Sequence, residues 1–255
     1  MAAGAVLIAV VVLTVYVMIN SGDDEGTETP AKGRASASAA TEPSVSPSAT
    51  YAPPADWTEP ERWASLPRGK RTDEYGSAVE FPHTVEGGVA MAVAANTTAV
   101  EGKTSGVDEQ MRIYNSYIPP RGHRPEVVKN IRAATEKGDR RLEEAAGAPA
   151  GGPLPSGAYM RSNVVGYKVI EAEGDELSLW VLARVTQKNG ELEKETGSYT
   201  RTVVGAQWED GDWKLSAEVT ARAMSGTNAQ AKPQIVAPGD AAFNSAGWTA
   251  IREAS

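Results

Sequence analysis

Between Ala158 and Val219 four successive stretches read as β-strands, and the turns between them leave little room for anything but an antiparallel meander. The stretches are "AYMRSNVVGYKVIEAEG", "DELSLWVLARVTQKNG", "ELEKETGSYTRTVVGAQWEDG" and "DWKLSAEV". Each boundary carries a glycine beside acidic or amide residues: "EGDE", "KNGE" and "EDGD". Such dipeptides accept the positive φ of tight hairpin turns, and Asn189-Gly190 in particular predicts a two-residue turn. In the second stretch Leu177, Leu179, Val181 and Ala183 alternate with Ser178, Trp180, Leu182 and Arg184. One face is firmly apolar and the other mixed, as expected of a central strand. Trp208 and Trp213 bracket Asp210-Gly211 and are placed to pair across that turn.

Three helical segments precede the strands. In "FPHTVEGGVAMAVAANTTAV", Thr84 is a suitable N-cap and Glu86 complements the helix dipole, predicting a helix over 84–98. Its buried face is Val85, Val89, Ala92 and Val93, and its small residues allow close packing. A second helix spans 107–118, with Met111, Tyr114 and Ile118 on one face, and "PPRG" ends it. A third spans 124–147, from Pro125 in the first turn to Gly147 at the stop, with Val127, Val128, Ile131 and Ala134 as its stripe. Helices segregated from strands give an α+β fold: three helices packed on one face of a curved four-stranded antiparallel sheet. Upstream, Trp57 and Trp63 cap the core, and "RGKRTDE" is a solvated loop. Near the C-terminus Asp240 caps a helix over about 240–253 bearing Phe243, Trp248 and Ile251.

The N-terminus differs in kind. Residues 2–19 carry no charge, which is enough for a helix to cross a bilayer, since about 17–25 residues are needed. No Lys or Arg precedes the run and no small-x-small site follows it, so an uncleaved anchor is favoured over a cleaved signal peptide. The acidic flank "NSGDDEGTE" puts the bulk of the chain on the extracytoplasmic side of the cell membrane. Residues 21–56 are mostly Ser, Thr, Ala, Gly, Pro and acids, a composition too poor in large apolar side chains to fold. As a flexible stalk they span roughly 30–36 Å. The remainder, 57–255, is the extracytoplasmic domain, with its core at about 77–222.

Composition and spacing narrow the chemistry. There is no cysteine, hence no disulfide and no thiolate site. The net charge of −8 does not favour nucleic acid. His83 and His123 have neither the spacing of zinc ligands nor a Glu beside them in a helical pattern, so no metal is expected. There is no G-x-S-x-G elbow, and "EGGVA" lacks the glycine spacing and lysine of a phosphate loop. Asp210 and Asp212 read as turn residues, and Asp108, Glu109, Glu143 and Glu144 as solvated. No catalytic, cofactor-binding or metal-binding residue is assigned. The one place where a ligand fits is the concave sheet face, which Tyr167, Trp180, Tyr199 or Trp208 would line; core packing is the commoner role of such side chains.

The run Trp208, Asp210, Gly211, Asp212, Trp213 and Leu215, closing a bent sheet behind three helices, resembles the cone-shaped nuclear-transport-factor-like superfamily. "FPHTVEGGVAMAVA" is similar to the helix start of uncharacterised actinobacterial membrane-anchored proteins of conjugative and integrative elements. Thr84, Gly87, Ala90 and Ala92 match that pattern, whereas Val85 and Gly88 depart from it. The anchor, stalk and domain layout also resembles the bitopic scaffold subunits of type IV secretion machines. Those resemblances imply a non-enzymatic scaffold or accessory protein. Its partners would be the membrane through residues 2–19 and proteins of an envelope complex, including copies of itself, with no direct nucleic-acid contact. A ligand-binding or enzymatic cone and an accessory to an envelope transporter are the alternatives.

Overall fold

The computed structural model describes residues 56–227 and 230–252. The expected anchor over 2–19 and all but the last residue of the expected stalk over 21–56 lie outside the described residues.

The strands are β1 (Trp63–Ser65), β2 (Arg71–Thr72), β3 (Ala78–Val79), β4 (Thr98–Glu101), β5 (Ala158–Glu173), β6 (Glu176–Asn189), β7 (Thr196–Glu209), β8 (Asp212–Leu215) and β9 (Thr249–Arg252). The helices are α1 (Val85–Asn96), α2 (Gly106–Tyr117), α3 (Pro125–Ala146), α4 (Ala217–Thr227) and α5 (Ala241–Ser245). The α+β class stands, but the expected four-stranded sheet with helices on one face does not. The main sheet has seven strands in the order β1-β9-β5-β6-β7-β8, with β4 beside β5. Only β1 and β9 run parallel, joining Trp63 to Ala250, and β2 and β3 form a separate small ribbon.

Explicit caps set the first three helices. Thr84 accepts from the Gly87 N–H at 3.1 Å. Ser105 and Asp108 form a reciprocal capping box at the start of α2. Pro125 opens α3, and Gly147 ends it at φ 67°. The buried face of α1 is broader than expected: Gly87 to Ala92, Ala95 and Asn96 are buried, whereas Val85 is 42% exposed and Val93 is half-buried. The helix lies so deep that Gly88 meets the sheet's side chains directly, beside the fully buried Val89. A Cβ on Gly88 would stand 2.7 Å from Leu177 Cδ2 and 3.2 Å from the Trp213 ring.

Strand β6 explains why a single helical layer is not enough. From Leu177 to Ala183 every residue is buried, on both faces. Leu177, Leu179, Val181 and Ala183 join Val89, Met91, Ile113, Tyr117, Ile131 and Trp213 in the core beneath α1–α3. Trp180 and Leu182 point the other way, into a second core with Val203, Ala223, Val236, Phe243, Trp248 and Ala250. Helix α4 and the C-terminal segment supply that second layer. Ser216 starts α4, its hydroxyl accepting from the Val219 N–H at 3.3 Å.

The helix expected over 240–253 is therefore cut short. Asp240 does cap, accepting from the Ala242 N–H at 2.7 Å. Gly247, at φ 80°, ends the helical course, and Thr249–Arg252 become β9. The two-residue turn expected at Asn189-Gly190 is also absent. Strand β6 runs through Asn189, which pairs with Ala158, and Gly190–Glu195 form a longer connection to Thr196. Asp210 and Gly211 do form the expected tight turn, with φ of 52° and 82°.

Candidate functional site

The concave sheet face does not offer the expected pocket. Tyr167 and Trp208 pack against the core beneath α1–α3, whereas Trp180 and Tyr199 belong to the opposite core. The four rings thus lie on two faces and line no common cavity. Burial raises the phenol pKa of both Tyr167 and Tyr199, the ordinary result of packing. The space between α1 and the sheet is filled by Trp213, whose indole donates to the Pro82 carbonyl at 2.9 Å.

His83 has a more specific setting than that of a residue beside a cap. Its ring stacks on Trp208 at 4.1 Å and meets the Trp213 edge at 5.8 Å. Its Nε2 lies 2.9 Å from Asp175 Oδ1, with side-chain exposures of 47% and 62%. A histidine oriented by a carboxylate is two thirds of a nucleophile-activating triad, but the third part is missing: among the described residues no hydroxyl is bonded to His83. The contact ties the start of α1 to the β5–β6 turn. His123 is occupied elsewhere, stacked on Tyr114 at 4.5 Å with Nε2 3.0 Å from the Ile118 carbonyl. Among the described residues no three His, Asp or Glu side chains are grouped to hold a metal ion.

Asp212 is more than a turn residue. It is 5% exposed, and its Oδ1 accepts from the N–H groups of Phe81 and Trp213, both at 2.9 Å. Its Oδ2 meets Lys214 Nζ at 3.1 Å, and that ammonium also donates to the Ser116 carbonyl. The W-x-D-G-D-W-x-L hairpin is therefore clamped to the segment before α1. A surface groove of about 540 Å³ lies beside α3, with Asp108, Glu136, Asp139 and Glu143 facing Lys103 and Arg140. Asp139 accepts from the N–H groups of Gly106 and Val107, capping α2 from outside. Desolvation raises its pKa despite those two bonds, which pull it down.

The backbone along the outer side of β7 is left over. Gly205 defines which residues face that way: its carbonyl accepts from the Ser216 N–H at 2.9 Å, and its N–H donates to Thr220 Oγ1 at 2.8 Å. The pairing of β6 with β7 runs without a register shift from Gln207 to Thr196. Alternation therefore turns the N–H and C=O of Gly197, Tyr199 and Arg201 outward, like those of Gly205. Strand β8 covers β7 only from Ala206 to Glu209, and among the described residues no backbone group bonds the outer edge from Thr196 to Arg201. That stretch has no proline, no lysine and no bulge, the usual protections of an exposed edge. Sequence reading passed over it because β7 looks like an inner strand of the meander. The signal that could have found it is the short β8, four residues against fourteen in β7.

Searches against protein-family models, curated proteins and solved structures found no match to this chain.

Proposed function

We propose that this chain is a membrane-anchored, extracytoplasmic, non-enzymatic scaffold or accessory protein, and that its α+β domain works by contact with other proteins of a conjugative DNA-transfer or secretion apparatus. The observation that carries the reading is the way the sheet is used. Both faces of β6 are filled by the chain's own side chains from Leu177 to Ala183, while among the described residues no backbone group bonds the outer edge of β7 from Thr196 to Arg201. A domain packed in this way has its binding capacity on its rim.

The uncharged run over 2–19 and the polar stalk after it support attachment to a membrane. The part made of α1–α3 and β5–β8 is read as a nuclear-transport-factor-like cone, with β5 bent by register shifts at Val164/Gly166 and Val169/Glu171. The layer of α4 and the C-terminal segment on the back of the sheet is an addition to that plan.

The test is to express the full-length chain in an actinobacterial host that carries a conjugative element, crosslink mildly, and purify from membranes. The reading expects the chain in the membrane fraction, its release on deletion of residues 2–19, and co-purification with envelope subunits of the apparatus. A chain that stays soluble, or that brings down no such subunit, overturns it.

A further inference from the structure

We infer that the open edge of β7 pairs with the same edge of a second copy of this chain, antiparallel and about a two-fold axis at Ser198. This rests on the proposed reading of the domain as one that binds proteins through its rim.

Three properties of the edge select another copy as its occupant. First, an antiparallel pair of identical strands is self-complementary, and the outward residues of β7 alternate correctly for it. With Ser198 opposite Ser198, Gly197 lies opposite Tyr199 of the second copy and Thr196 opposite Thr200. The outward N–H and C=O groups of Gly197 and Tyr199 then bond each other twice across the axis. Tyr199 also covers the glycine, a cross-strand arrangement that offsets the missing side chain.

Second, the register brings opposite charges together. Glu195 falls opposite Arg201 of the second copy, on the same face of the extended sheet. Arg201 is half-buried, lies over the Trp180 ring at 5.4 Å and donates to the Pro233 carbonyl. Among the described residues it makes no ion pair. Its burial without a carboxylate is an unbalanced arrangement within one copy, and the second copy supplies the missing acid. Glu195 is already at the surface, beside Arg184 at 3.4 Å and the Tyr159 hydroxyl, and its carboxylate has lone pairs to spare.

Third, the segment suits pairing in its composition. Thr196, Ser198, Tyr199, Thr200 and Thr202 include the β-favouring types, and Arg201 is the only charge between Thr196 and Val204. An extended peptide of another protein would also find backbone partners here, but it would not by itself match Arg201 with an acid and Gly197 with an aromatic ring.

The chain has no cysteine, so single cysteine variants report geometry without background. In Ser198→Cys, directly opposed residues of a non-hydrogen-bonded pair have Cβ atoms about 4.5–5.5 Å apart, which borders on disulfide reach. Mild oxidation of the full-length variant in detergent micelles should give a disulfide-linked homodimer as the main product. Leu192→Cys is the control, since Leu192 is fully exposed and lies six residues from the axis. Random collision would link it at least as well as Ser198→Cys, whereas paired edges leave it monomeric.

A second variant keeps the test independent of the thiol. Gly197→Pro removes one outward N–H, a change that edge strands tolerate, and should cut crosslinking through Ser198→Cys about tenfold while the fold persists by circular dichroism. Equal crosslinking of the two cysteine variants, or none at Ser198→Cys, overturns the inference. A Ser198→Cys chain that crosslinks in native membranes only to a different protein overturns self-pairing and leaves the protein-binding reading intact. A homodimer that co-purifies with no envelope subunit supports self-pairing and overturns the apparatus.

Discussion

Adding one methyl group at Gly87 should destabilise the protein by about 2 kcal/mol, although alanine is the better helix former. The Cβ would stand 1.9 Å from the Pro82 carbonyl oxygen and 2.9 Å from its carbon. To restore ordinary contact, that backbone must retreat by more than about an ångström. The same carbonyl accepts from the Trp213 indole at 2.9 Å and from the Thr84 N–H at 2.8 Å. Overpacking of this kind costs about 1–3 kcal/mol and loss of the buried indole bond about 1 more. The gain in helix propensity returns at most about 1. Gly88→Ala is the internal comparison. Its new Cβ meets the end of the Leu177 side chain and the Trp213 ring instead of backbone, so strain and propensity should offset to within about 1 kcal/mol. Urea unfolding of the full-length protein in micelles, followed by near-ultraviolet circular dichroism of the tryptophans, reads both. Gly87→Ala should have the lower midpoint at an unchanged slope. A Gly87→Ala protein as stable as Gly88→Ala would refute the claim that the Pro82 carbonyl fixes the depth of α1.

Two further substitutions test the buried Asp212 and the half-buried Asp139. Asp212→Ala leaves the Phe81 and Trp213 N–H groups without their acceptor and Lys214 without its counter-ion, and should cost about 3–5 kcal/mol in the same urea assay; a loss below about 1 would show that water replaces the carboxylate. Asp139 differs in sign. Because burial raises its folded-state pKa above the ordinary 3.8, it binds its proton more tightly in the folded chain, so its contribution to stability declines as pH rises through that raised value. The unfolding free energy of wild type minus Asp139→Asn should fall as pH goes from about 3.5 to 7, and a difference that rises would contradict the raised pKa.

The parts of the fold that were legible in sequence are those whose signals are local. Thr84, Pro125 and Gly147 mark helix ends by the hydrogen bonds or backbone angles each residue type provides. The turns at Gly174 and Asp210-Gly211 follow from the same chemistry. The pairing of β1 with β9 was hidden because two strands of three and four residues, almost the full domain apart in sequence, carry no periodicity. Helix α4 was hidden because "SAEV" continues the apolar run of β8. The second core left one trace: Trp180 and Leu182 on the mixed face of β6 are too large to face water beside Leu179 and Val181, and they call for a layer behind the sheet. His83 illustrates the limit on the candidate site. Its stack on Trp208 and its pairing with Asp175 depend on two hairpin ends meeting, which no local pattern encodes.

The strand order also bears on whether a β7-paired dimer can be held on one membrane. Strand β1 lies at one end of the sheet and β7 near the other, separated by β9, β5 and β6. The chain enters beside β1, where the Glu59 carboxylate accepts from the indoles of both Trp57 and Trp63 at 2.9 Å and the Thr58 N–H donates to the Gly239 carbonyl at 2.7 Å. On the proposed reading, a tether leading to a membrane would leave the domain at the edge farthest from the pairing surface, where pulling on it would not load β7. At about 4.8 Å between strands, each β1 would lie roughly 20 Å from the two-fold axis. If residues 21–56 act as the proposed stalk, a coil of that length would span roughly 30–36 Å, more than that offset, and both copies could be tethered to one bilayer with β7 paired. Shortening the stalk by half brings its span to roughly 20–25 Å by the same square-root scaling, close to the offset itself. Crosslinking through Ser198→Cys in membranes should then fall, while in micelles, where the anchors are not coplanar, it should persist. Equal loss in both settings would place the effect in the domain instead of the tether.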